Sequence, residues 1–159
     1  MTKVRIEQDK NLLYQDICAR LPYSVIGQIS IEVLDGTYDI NSGHLEYKDV
    51  DVDVELLGIQ EEEIIFSTIN ETYDVNTCTY LDFTPYLRSM SSMTEKEKEE
   101  YCNLQCMFLY SSQYPVTEAH KLFDWLLENH FDYCGLIEKG LAIEVNESNN
   151  PYKEYDTRK

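Results

Sequence analysis

The 159-residue chain predicts an α+β fold: an N-terminal helix, an antiparallel sheet of four or five strands, open or barrel-like, and two C-terminal helices packed on it. Three observations carry that reading. Apolar residues recur at helical spacing before Pro22, the period shortens towards two between residues 24 and 83, and helical spacing returns after Pro85.

The elements follow in order. Ile6, Leu12, Leu13, Ile17 and Leu21 fit one helical face with no Gly or Pro before Pro22, which predicts a first helix over 6–20. From Ser24 the residues Val25, Ile29, Ile31, Val33 and Leu34 read as strand, and Asp35-Gly36 is a dipeptide that commonly turns a hairpin. A second turn signal, Asn41-Ser42-Gly43, precedes His44-Leu45-Glu46-Tyr47 and an alternating run that ends near Leu57 and Gly58. Ile64 to Phe66 and Cys78 to Phe83 complete the sheet, and Pro85 marks its end. Thr94 with Glu97 three residues on forms a capping box for a helix reaching about Tyr110. Pro115-Val116-Thr117-Glu118 opens another, whose Ala119, Leu122, Phe123, Leu126 and Leu127 make an apolar stripe beside Trp125. Residues 134–145 read as a helical turn stopped by Gly140 and then a closing strand. Residues 1–145 thus form one domain, with an acidic sheet region over 24–83 and a helical region over 92–145, and 146–159 are expected to be a mobile tail.

Charge is the most informative property. The chain carries a net charge of −17. Residues 24–79 hold thirteen acids and one Lys or Arg, Lys48. At their centre Asp49-Val50-Asp51-Val52-Asp53-Val54-Glu55 alternates acid and aliphatic, so a strand there shows four carboxylates on one face and valines on the other. Such a field repels nucleic acid and anionic membrane and attracts basic protein surfaces. No apolar run approaches the roughly 20 residues of a membrane span or forms a signal peptide, so a soluble, cytoplasmic protein is expected. Five cysteines at irregular spacing read as free thiols.

Three stretches carry a resemblance. Ile17-Cys18-Ala19-Arg20-Leu21-Pro22-Tyr23, Pro85 to Glu95 (PYLRSMSSMTE), and His130-Phe131-Asp132-Tyr133 leading into Gly135 to Ala142 (GLIEKGLA) resemble an uncharacterised family of small proteins encoded by gut anaerobes and by their phages and prophages. That family has no assigned activity, cofactor or catalytic residue. The resemblance implies a shared scaffold and a phage-type context inside a host cell, and no chemistry. The acidic middle departs most from it, so members are expected to differ in the surface they present.

The candidate docking residues are Asp49, Asp51, Asp53 and Glu55, with Glu46, Glu61, Glu62 and Glu63 extending the patch. Two readings stand: a partner-binding surface, or a solvated face whose charge blocks strand-to-strand aggregation. A calcium loop starting at Asp49 fails, because Val54 and Gln60 stand where Gly and Glu are needed. Cys102 and Cys106 share a helix face, but His120 and His130 are ten residues apart; core packing is favoured over zinc. Catalytic motifs are missing, and a dyad of His120 with Cys134 or Ser111 has no sequence support. Arg88 is expected to pair with a carboxylate and pin the linker between sheet and helices. The functional expectation is a non-enzymatic, cofactor-free binding protein that engages a basic surface of a nucleic-acid-handling host protein, as an anti-defence inhibitor would. The alternative is a phage structural or assembly accessory that self-associates through apolar and Tyr-rich surfaces.

Overall fold

The computed structural model describes residues 3–39, 44–69, 76–110 and 115–155; for 3–6, 34–39, 44–46 and 154–155 it describes the backbone alone. Helix α1 runs Lys3–Arg20. Leu13, Asp16, Ile17 and Arg20 form its buried stripe at i, i+3, i+4 and i+7. Pro22 disfavours further helix, the chain makes a 3₁₀ turn over Leu21–Tyr23, and Ser24 in the left-handed region (φ 51) redirects it into the sheet.

Six strands follow: β1 Ile26–Asp39, β2 His44–Gln60, β3 Glu63–Thr68, β4 Asn76–Thr79, β5 Thr84–Leu87 and, after the helices, β6 Ile143–Glu144. Their order is β4-β3-β2-β1-β5-β6, antiparallel except for the parallel β5–β6 pair. The sheet is open, with β4 and β6 as its edges, and does not close into a barrel. Pro85 does not end the sheet. It lies inside β5 opposite Gly27, early in a strand whose pairing to β1 spans two residues, a position that tolerates a missing N–H. Gly27 is obligatory there, since a Cβ would run into the Phe83 ring.

Asp35-Gly36 does not turn the first hairpin either. Leu34 pairs with Tyr47 and Tyr38 with Leu45, so these residues form a bulge within β1, and pairing continues to Asp39 and His44; the turn expected at Asn41-Ser42-Gly43 lies outside the described residues. A second bulge falls between Leu56 and Gly58, opposite Phe66 and Ile65. It turns Leu57 outwards, 48% exposed, and moves the core-facing positions of β2 from Val54 and Leu56 to Ile59.

Helix α2 spans Glu95–Tyr110 and α3 Pro115–Glu128. The capping box forms as expected: Glu97 N–H donates to Thr94 Oγ1 at 3.3 Å and Thr94 N–H to Glu97 Oε2 at 2.7 Å. The main core lies between α1 and the sheet, built from Leu13, Ile17, Ile29, Val54, Ile64, Phe66 and Phe83 among others. A second cluster joins α2 and α3 through Met93, Leu122, Leu126 and Phe131. A third, Ile26, Tyr86 and Val145 with Ile69, Ile143 and Tyr152, covers the opposite sheet face near β6. Tyr152 opens the short helix α4, Tyr152–Tyr155. Its hydroxyl donates to the Tyr86 carbonyl at 2.9 Å, which ties the middle of the 146–159 stretch, expected to be a mobile tail, to the body of the domain. Among the described residues no helix is long and apolar enough to cross a membrane.

Candidate functional site

Register decides what the acidic run presents. Residues directly opposite in a ladder share a face, so Gln28 and Asp53, Ser30 and Asp51, and Glu32 and Asp49 form three polar rungs on one face of the β1–β2 ribbon. Ile29 with Val52 and Ile31 with Val50 make the aliphatic rungs behind them. Ile29 is buried, whereas Ile31 is 37% exposed, so the ribbon leaves the core after its first aliphatic rung. Strands of 14 and 17 residues far exceed the usual five or six, and the excess projects.

The four alternating acids therefore divide into two pairs. Glu55 and Asp53 are half-buried. Asp53 Oδ1 accepts from the Tyr86 hydroxyl at 2.9 Å, and Gln28 Nε2 donates to that same hydroxyl at 3.3 Å. Burial first, then the bond to Asp53 and the charges of Asp53 and Asp51, push the Tyr86 phenol up to about 12, so it keeps its proton and donates. Asp49 and Asp51 are exposed, and so is Glu32, which the alternation of β2 alone does not reveal. A cleft of about 560 Å³ runs beside them, lined by Gln28, Asp51, Asp53 and Tyr86 and by ribbon aliphatics including Ile31 and Val50.

Glu61, Glu62 and Glu63 do not join this patch. They sit exposed at the β2–β3 turn, ten residues along β2 from Asp51 and hence roughly 30 Å away at the strand rise. There Glu61 adopts φ 59, a conformation that Asn or Gly takes more readily. The side chain of Glu46, like those of Asp35 and Asp39, lies outside the described residues. The expected eight-acid surface is thus split, because a long extended strand separates residues that sequence proximity groups together.

The other candidate chemistries fare as follows. Cys102 and Cys106 are exposed, contrary to the core packing expected of them, because α2 has α3 on one side only. Burial pushes the Cys78 thiol up to about 11 and raises that of Cys134, the opposite of activation. His120 is exposed; His130 is half-buried and stacked on the Tyr152 ring with centroids 3.9 Å apart, and desolvation, then the charges of Arg20 and Arg88, lower its pKa to about 3. Among the described residues no three His, Cys, Asp or Glu side chains converge to hold a metal.

Residues 17–23, 85–95 and 130–142 meet around Phe131. Arg20, fully buried, binds Asp16 through Nε and Nη2 at 2.6 and 3.1 Å, and its Nη2 also donates to the Phe131 carbonyl at 2.8 Å. The backbone of Arg88 bonds His130 and Asp132 on either side, 2.8 Å each, and its guanidinium lies 4.3 Å over the Phe131 ring. That guanidinium grips Glu97 with two bonds, 2.7 and 3.0 Å, and these hold the Glu97 carboxyl at about 2. Asp132 caps the following turn, accepting from the N–H groups of Leu136 and Ile137. Sequence assigns these segments to separate elements, yet together they join the sheet to the helices. No protein-family model matches the chain, and no curated protein and no solved structure matches it.

Proposed function

We propose that this protein acts by binding rather than by catalysis, and that the projecting end of the β1–β2 ribbon engages a basic surface of a nucleic-acid-handling host protein. The resemblance to phage and prophage proteins suggests the use: inhibition of a host antiviral defence, of the anti-CRISPR or anti-restriction kind.

One observation carries the reading. Glu32 stands directly opposite Asp49, with Asp51 one rung away, all three exposed. Like charges across a ladder weaken it, and a strand protected merely against aggregation needs one charge per rung, not two of the same sign. A docking surface for Lys and Arg side chains needs the doubled charge. Ile31 and Val50 behind the acids add apolar area to a contact of that kind.

The test uses Glu32→Gln, Asp49→Asn and Asp51→Asn together, which spares Asp53 and its bond to Tyr86. Affinity capture from host lysate, in low salt and again with about 0.5 M salt, should recover a basic partner with the native chain in low salt only. The triple variant should lose that partner while its unfolding transition stays at or above that of the native chain. Equal recovery by the variant, or capture indifferent to salt, would rule the mechanism out.

A further inference from the structure

Helix α2 changes character half-way. Its first six residues, Glu95-Lys96-Glu97-Lys98-Glu99-Glu100, are all charged. Tyr101 then begins the longest stretch of this chain without Asp, Glu, Lys or Arg, residues 101–117. Cys102, Leu104, Cys106, Met107, Phe108, Leu109 and Tyr110 place apolar groups all round the helix, and a helix of that pattern belongs where every side is covered. Tyr101 and Leu104 pack into the cluster shared with α3. Beyond them Met107, Phe108, Leu109 and Tyr110 are 49, 37, 69 and 82% exposed, and α3 adds Val116 and Phe123 at 69 and 46%. A shallow cavity of about 390 Å³ between the helix ends is lined by Phe108, Pro115, Val116, Ala119, His120 and Phe123.

Two quantities identify the occupant. At roughly 200 Å² for a fully exposed side chain of this size, the six leave roughly 700 Å² of apolar surface open, more than a typical monomer shows in one patch and close to the ~800 Å² each partner contributes to a standard interface. Charge narrows the choice further. Two copies of a chain at −17 repel across most of their surfaces, and the exposed groups of Met107 to Tyr110 and of Val116, from a stretch without Asp or Glu, are where they can touch without opposing carboxylates. We propose that two copies of this chain associate about a two-fold axis through the second half of α2, with Leu109 and Tyr110 of each entering the α2–α3 cavity of the other. A two-fold contact uses the projecting groups and the receiving cavity of both copies at once. This surface is independent of the acidic ribbon.

Sedimentation analysis of the full chain tests it, with Leu109→Glu and Val116→Glu as separate variants; both side chains are over two-thirds exposed, and circular dichroism verifies their fold. The native chain should form a dimer at micromolar concentration that tightens as salt screens the mutual repulsion, and each variant should dissociate at least tenfold more readily. The Glu32→Gln, Asp49→Asn, Asp51→Asn variant should dimerise at least as well as the native chain. A chain that stays monomeric up to about 100 µM in high salt, or a dimer indifferent to both Glu substitutions, overturns the proposal.

Discussion

Replacing Glu97 by Gln tests how the sheet is fastened to the helical pair. The carboxylate accepts two bonds from Arg88 and a third from the Thr94 N–H. The Arg88 bonds are the largest cause of a pKa held down to about 2, against an ordinary 4.5 and against the opposing effect of burial. At face value such a depression corresponds to roughly 3 kcal/mol. The Arg88 and Glu97 side chains are 24 and 19% exposed, and discounting for solvent screening leaves about 1.5 kcal/mol. Because the folded-state value is the lower one, this stabilisation is complete above pH 4.5 and is lost as the pH falls from there towards 2. Thermal unfolding of the native chain and Glu97→Gln should therefore differ by roughly 3–6 °C at neutral pH. By about pH 3 the gap should close by at least half, since there the unfolded form of the native chain takes up a proton that the Gln variant cannot bind. A gap that stays constant across this range would refute the assignment of the stabilisation to the Arg88–Glu97 pair.

Other perturbations give equally definite outcomes. Asp16→Asn strands the fully buried guanidinium of Arg20 without its countercharge and should cost roughly 3–5 kcal/mol in urea unfolding; a loss below about 1 kcal/mol contradicts the buried pair's role. Glu61→Asn relieves a left-handed residue at the β2–β3 turn and should raise stability by about 1 kcal/mol, so a lowered unfolding midpoint counts against it. Iodoacetamide at about pH 8, applied to dilute protein and followed by peptide mapping, should label exposed Cys102 and Cys106 first. Half-buried Cys78, held near 11, should react far more slowly; comparable rates at all three would contradict the raised thiol.

Much of the fold was legible because it depends on local chemistry. Thr94 and Glu97 form their box, Pro115 opens α3, and Gly140, at φ 69, closes the turn before β6. What sequence left hidden depends on partners distant along the chain. Asp35-Gly36 has the composition of a turn, but Leu34 and Tyr38 find partners on β2 that continue the ladder past it. Pro85 reads as a stop, yet it pairs opposite Gly27 within β5, where the lack of a Cβ on Gly27 leaves room for the Phe83 ring. Asp16 and Arg20 form an ion pair on the buried stripe of α1, and the carbonyl of Phe131, 111 residues on, accepts a further bond from Arg20 Nη2. The acidic site was half legible for the same reason. Alternation shows that Asp49 and Asp51 share a face, but pairing brings Glu32 beside them, draws Asp53 towards Tyr86, and leaves Glu61 to Glu63 at the far end of the strand.

The junction at Phe131 also makes the helical pair a stem and loop. Arg88 on one side and His130 and Asp132 on the other are bonded backbone to backbone, so the chain leaves the sheet and returns to it at one fastened point. Residues 89–129 are thereby a closed excursion whose ends are already held. Doubling such a loop adds only about 0.6 kcal/mol of closure entropy. The helical tip can lengthen, shorten or change its apolar surface over generations while β5 and β6 keep their places, and the projecting β1–β2 ribbon is free to change on its own schedule.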